Sequence, residues 1–267
     1  MPEVALYLLN AVVYLALAVW LWPGRPGERS RTWSRLLPLV PLALHLVLLQ
    51  QDVLGAGGVS LGLASSLSAI AALTVLIYSL ACWLYPIAGL TAFVLVFAGA
   101  SLLLHAVLPA AHLIPYSEQP IFRLHLLMAM TAYSLFTIAA LHAVLIALAD
   151  HHLHKPVPPA IVAGLPPLLT LEKLLFYLIE AGFVLLTLTL VSGIVFSEAI
   201  FGKPLQLNHK TVFGVVSWLT FAALLWGRRR YGWRGQPAIV WTLAGFVSLL
   251  LAYVGVQFVL EMVLHRT

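Results

Sequence analysis

Apolar residues run through this chain almost without interruption, broken only by short clusters of Pro, Gly, Arg and Lys. About 20 helical residues at roughly 1.5 Å each cover the ~30 Å hydrocarbon core of a bilayer. Eight runs read as helices of that kind: 4–22, 36–51, 60–83, 87–108, 121–149, 172–199, 210–227 and 238–264. Trp22-Pro23-Gly24 ends the first. Pro38 and Pro41 fall in the first turns of the second, where a missing N–H matters least. No internal repeat and no soluble stretch is visible. The expected architecture is therefore an all-α integral membrane protein of eight transmembrane helices, a single polytopic domain over residues 1–267.

Composition agrees. The chain is 62% hydrophobic and 9% charged, where a soluble globular domain carries about 25% charge. Mean hydropathy is +1.02 and the pI about 9.5. The basic residues lie in short loops between apolar runs, so they orient membrane helices and do not mark a nucleic-acid partner. Cys82 is the one cysteine, which excludes an intramolecular disulfide, and no CxxCH motif is present for covalent haem attachment. The first apolar run has no basic segment before it and reads as a retained helix.

Charge asymmetry sets the expected topology. Arg25, Arg29, Arg31, Arg35, Lys155, Lys173, Arg228, Arg229, Arg230 and Arg234 fall on one side. Arg123, Lys203, Lys210 and Arg266 fall on the other. The Arg-rich side is expected in the cytoplasm, with both termini outside. The 150–170 loop carries His151, His152 and His154 beside prolines and reads as a solvated connector.

The stretch from Leu171 to Lys210 looks built for a site: an apolar helix carrying Glu180 and Glu198, then a polar loop with Lys203, Asn208, His209 and Lys210. Sorted by depth, His105, His112, His125, His209 and His265 gather at the outer surface, while His45 lies mid-membrane and His142 in the inner half. Glu180 has His142 at similar depth as a candidate partner, and Glu261 stands one turn before His265, able to orient it. Interfacial histidines with cations nearby suit haem, whose iron takes neutral imidazole and whose propionates want cations at the water boundary. Histidine at a bilayer interface is also an ordinary boundary residue. The small-residue runs Gly58 to Ser68 and Ala69 to Ala72 read as helix packing.

The run Leu171-Glu172-x-Leu174, then Gly182-Phe183-x-Leu185-Leu186-Thr187-Leu188 and Gly193, resembles the corresponding helix of cytochrome c assembly proteins of the CcsA type. The resemblance extends over Leu124-His125 with Ala132-Tyr133, over Gly232-Trp233-Arg234-Gly235 and into the last helix, about 120–265 in all. It implies a cytochrome c assembly-type bundle that handles haem at the outer membrane face. The family's paired external histidines match His125 and His265. Its tryptophan-rich loop, WxWDPKE, corresponds to Pro204-Leu205-Gln206-Leu207-Asn208-His209-Lys210-Thr211, where only Lys210 persists. A histidine near the cytoplasmic end of the next helix in the family's synthases is Trp226 here. The pattern is similar to the HemX/YpjD-like branch.

The expectation is thus a bacterial inner-membrane protein binding non-covalent b-type haem through His125 and His265. His209 is a third participant, and Lys203, Lys210 and Arg123 meet the propionates. Expected partners are haem, the bilayer and other cytochrome c biogenesis membrane proteins, with no nucleic acid. No catalytic residue is assigned. The rival is a non-catalytic scaffold or regulator that keeps the fold without haem, and a solute transporter is disfavoured by the lack of broken-helix pairs. For topology, a reporter fused after Arg230 is expected in the cytoplasm and one fused after Thr267 outside; the reverse pattern would invert every depth assignment.

Overall fold

Apolar segments in lipid must satisfy their backbone groups internally, and helices are the simplest way to do so. The computed structural model describes residues 2–22, 31–55, 58–85, 88–108, 112–113, 118–152, 165, 167–201 and 208–258. The helices are α1 (Pro2–Trp20), a short α2 (Arg31–Leu36), α3 (Leu39–Val53), α4 (Leu63–Leu84), α5 (Thr91–Val107), α6 (Pro120–His152), α7 (Leu168–Phe201), α8 (His209–Tyr231) and α9 (Gln236–Leu250). After Leu250, α9 runs on through a π-helical turn, Leu251–Gly255, and a final turn, Val256–Phe258. All eight expected apolar helices are present.

Six of them are long and apolar enough to cross a membrane: Trp33–Val53, Leu63–Leu84, Pro120–His152, Leu168–Val195, His209–Tyr231 and Gln236–Phe258. Val4–Trp20 of α1 and Thr91–Val107 of α5 are shorter. Seventeen residues rise only about 25 Å, less than the hydrocarbon thickness.

One expected helix start is wrong. The apolar run from residue 60 begins in a strand, because β1 (Leu54–Gly55) and β2 (Gly58–Leu61) pair antiparallel, Leu54 opposite Val59. β3 (His112–Leu113) adds to the far edge of β2, with Leu61 opposite His112. His112 is therefore a strand residue and not part of a loop. Val59 and Leu61 bury beside Ile70 and Met130, the alternation expected of a half-buried strand. Uniform hydropathy hid this change of period.

Two packed groups of helices share α6. One core draws on α1, α3, α4 and α5 with Ile138 and Leu145 of α6. The other draws on α6 to α9. Small residues let backbones approach: a Cβ on Gly99 of α5 would lie 2.9 Å from Leu15 Cγ and 3.3 Å from the Ala11 carbonyl of α1. In the second group Phe136 of α6 stacks on Phe221 of α8, with centroids 3.9 Å apart. Gly182 of α7 lies against the first ring and Gly245 of α9 against the second, where a Cβ would meet ring carbons at 3.0 and 2.8 Å.

α6 and α7 run antiparallel: His142 Nε2 lies 3.0 Å from the Leu171 carbonyl at one end and His125 Nδ1 lies 2.7 Å from Ser192 Oγ at the other. The end that carries the arginines is closed by side chains. Gly232, at φ +68°, gives α8 its left-handed cap. The Trp233 ring folds onto Gly227, where a Cβ would lie 2.4 Å from it. Glu172 of α7 accepts from Arg234 Nε at 3.1 Å and from the Gly235 N–H at 3.0 Å.

The phenyl stack yields a test. Gly182→Ala and Gly245→Ala each gain helix propensity worth about 1 kcal/mol. Each also forces a methyl into a ring, at a cost of about 1–3 kcal/mol. Both variants are expected to lower the thermal midpoint in detergent or nanodiscs.

Candidate functional site

The first residues of α6 and α8 and the last turns of α7 and α9 meet at the end of the bundle opposite the arginines. Between them lies a cleft of about 280 Å³, walled by His125, Ala129 and Tyr133 of α6, Leu186 to Ile194 of α7, Lys210 to Val215 of α8, and Leu249, Ala252 and Tyr253. Its lining mixes Leu, Ile, Val and Ala with His, Tyr, Thr and Lys, an apolar wall carrying placed polar groups, as in small-molecule sites.

Those polar groups are held. Tyr133 donates to the Leu249 carbonyl at 2.8 Å. Tyr253, on the π-helical turn, shares a 2.9 Å hydrogen bond with Ser66 of α4. π-Helical turns inside α-helices are frequent at functional sites. The Lys210 ammonium sits 5.4 Å from the centroid of the Tyr253 ring, a cation–π contact at the cleft mouth. Asn208 caps α8, its side chain accepting from the Thr211 N–H at 3.0 Å. His125 is half-buried, with Nδ1 against Ser192 Oγ.

Two glycines of the cleft behave unlike those of the core. A Cβ on Gly193 would lie 3.6 Å from His125 Cε1, and one on Gly214 3.5 Å from Leu190 Cδ2, both ordinary contacts. Helix packing does not demand glycine at either position, and what the missing methyls supply is space in the cleft.

Of the residues expected at the site, His125 and Lys210 come together in this cleft. Arg123 is exposed, two residues from His125, and His209 is exposed beside Lys210; neither lines the cleft. His265, Arg266, Lys203 and Glu261 lie outside the described residues. His105 belongs elsewhere: its Nε2 lies 2.9 Å from Asp52, which also accepts from Tyr7, and its ring stacks on Tyr7 at 4.3 Å. The Glu180–His142 pairing is corrected. Glu180 faces Arg229 at 3.8 Å, and His142 is bonded to the Leu171 carbonyl. His45 is fully buried between Ser68 Oγ at 2.8 Å and Tyr14 at 3.4 Å.

Sequence reasoning did not single out Ser192, Gly214 or Tyr253 as site residues. Each lies about one turn from, or beside, a residue it did single out, but hydropathy alone cannot say which face of a uniformly apolar helix looks inward.

With this geometry in place, similarity to known proteins can be stated. The Cytochrome C assembly protein family matches residues 33–264. The chain belongs to that family. It is 30% identical over 276 residues to "Inner membrane protein YpjD" of Escherichia coli K12, covering 98% of this chain and 100% of that protein. It is 34% identical over 87 residues to "Cytochrome c biogenesis protein CcsA" of Prochlorococcus marinus NATL1A, covering 33% of this chain and 28% of that protein. A CcsA of Gloeobacter violaceus is 33% identical over 92 residues, 34% and 27% of the two chains. No solved structure matches. Membership in the family accounts for the shared helices and leaves function to the site itself.

Gly193→Ala and Gly214→Ala are expected to hold or raise the thermal midpoint, by up to about 1 kcal/mol of helix propensity. A midpoint lowered as far as in Gly182→Ala would show that these glycines serve packing.

Proposed function

We propose that this protein holds haem, non-covalently and as b-type, in the cleft between α6, α7, α8 and α9, and that it does so in cytochrome c biogenesis at the inner membrane. The observation that carries the reading is His125 in an apolar cleft with a cation at its mouth. The donor set suits the group. One imidazole is backed by a hydroxyl, Tyr133 and Tyr253 offer ring faces, aliphatic side chains wall the space, and Lys210 stands where a carboxylate would emerge. Charge-assisted contacts of that kind are the stronger ones.

In this reading His125 and His265 would hold the haem iron, with His209, Lys203 and Arg123 meeting its carboxylates. Haem, when bound, supplies iron-centred redox and ligand chemistry. The chain's own residues orient the imidazole, exclude water with aliphatic walls and neutralise the carboxylates. The cleft end faces outside and both termini lie there, with α1 and α5 crossing as short helices. Names of the relatives support the setting, since one is called an inner membrane protein and others cytochrome c biogenesis proteins. Other assembly proteins of the same membrane are the partners.

A second reading, a scaffold or regulator without haem, draws on the loop 204–211, which carries no Trp or Asp.

Purified protein supplied with haem separates the two. A Soret band of a six-coordinate low-spin species is expected, with one haem per chain. His125→Ala and His265→Ala should each abolish that spectrum while the protein stays folded. His112→Ala should change little. His45, against Ser68, and His142, against the Leu171 carbonyl, are buried away from this cleft. The haem reading falls if both alanine variants keep the parent spectrum, and the single-site reading falls if the haem-to-protein ratio is near two.

A further inference from the structure

We infer that Ser192 is the positioning residue that fixes the tautomer of His125, leaving the lone pair on Nε2. The inference rests on the haem-binding reading for its purpose, but its geometry stands alone. Ser192 Oγ donates to the Thr189 carbonyl at 3.0 Å, and the same oxygen lies 2.7 Å from His125 Nδ1.

A serine hydroxyl has one proton and can also accept. The Thr189 carbonyl can only accept. Both contacts are satisfied together in one assignment, in which His125 Nδ1–H donates to Ser192 Oγ and Ser192 O–H donates to the carbonyl. Two hydrogen bonds in series polarise one another, which strengthens the arrangement in an apolar environment. The neutral ring then carries its proton on Nδ1 and its lone pair on Nε2. A histidine that donates its far N–H to an acceptor is held in orientation and becomes a stronger electron donor at the other nitrogen.

The chain places this pair by helix geometry alone. Thr189 is three residues before Ser192 on α7, within reach of its own hydroxyl, and Thr189 Oγ1 is itself committed to the Leu185 carbonyl at 2.8 Å. Thr187, on the same helix, shows the same logic: it donates to the Phe183 carbonyl at 2.7 Å and accepts from Trp218 Nε1 at 2.9 Å. Hydroxyls on α7 that donate back along their own helix thus become acceptors for neighbouring helices.

The test uses full-length protein in lipid nanodiscs and compares Ser192→Thr, which keeps the hydroxyl, with Ser192→Val, which has the same shape without it; Ser192→Ala stands in if the β-branched variants fold poorly. Nitrogen-15 histidine labelling, with His125→Ala for assignment, reads the ring before any haem is added. The Nδ1–H tautomer is expected in the parent and in Ser192→Thr, and a mixture in Ser192→Val. Titration with haemin is expected to show affinity about 10–100-fold weaker in Ser192→Val, the usual effect of losing such a partner, and near parental in Ser192→Thr. The haem midpoint potential should move to more positive values in Ser192→Val, because a weaker donor stabilises the ferric state less. An Nε2–H ring in the parent overturns the inference, as does a Ser192→Val protein with parental tautomer and potential. If the parent takes up no haemin, the proposed function fails, and the nitrogen-15 spectra alone decide the tautomer.

Discussion

Two phenyl rings pressed face to face between two glycines fix the half of the molecule that carries the cleft. Phe136 and Phe221 stack, and Gly182 and Gly245 close on them from either side, so α6, α7, α8 and α9 are brought together at one level. From that level the chain counts outward in equal steps. His125 is eleven residues from Phe136, Gly193 eleven from Gly182, and Lys210 eleven from Phe221. Eleven residues make about three full turns and about 16 Å, so each returns to the face it left. The faces that meet at the stack therefore meet again at the cleft. α9 departs from the pattern, since its π-helical turn intervenes and brings Tyr253, eight residues from Gly245, beneath Lys210.

The other half solves a different problem, that of polar groups carried into an apolar bundle. Tyr7, Asn10 and Tyr14 lie on one face of α1, three and four residues apart. They turn inward to Asp52, the Pro41 carbonyl and His45. His45 continues to Ser68 of α4, and His105 of α5 joins at Asp52. An unpaired polar group is costly in such surroundings, so these contacts select which faces of four nearly featureless helices look at one another. Among the described residues Asn10 Oδ1, Thr74 Oγ1 and His105 Nδ1 are buried without a protein partner.

Much of the fold was legible because a bilayer reduces the problem to length and hydropathy. The order of all eight apolar helices followed from that, and most boundaries lie within a few residues of those expected. Hydropathy failed where an apolar run changed period without changing character, as at Ser60 and Leu61, which read as the start of a helix and form a strand. It also failed on facing. Glu180 turns to Arg229 and His142 to the Leu171 carbonyl, and helical angle is not marked in a run such as Leu185–Val191. The site was legible through its rarer residues, His125 and Lys210. Its supporting residues were not, because Ser192 and Gly214 are unremarkable in composition and gain meaning only from what stands opposite.

The two ends of the bundle are built in opposite ways, and this asymmetry bears on where the protein works. At the arginine end the Trp233 ring fills the space over Gly227, and Gly232 and Gly235, both at positive φ, turn the chain so that Glu172 can hold both Arg234 and a backbone N–H. Such a junction joins α7, α8 and α9 through short-range contacts with little space left over. At the opposite end the glycines have room beside them, the helix most involved is wound with an extra residue in its turn, and the polar side chains point across a space. Close packing at one end supplies the rigidity that lets the other end keep a cavity open without collapse, since α7, α8 and α9 are clamped at the junction and α6 joins them at the phenyl stack before the four part around His125.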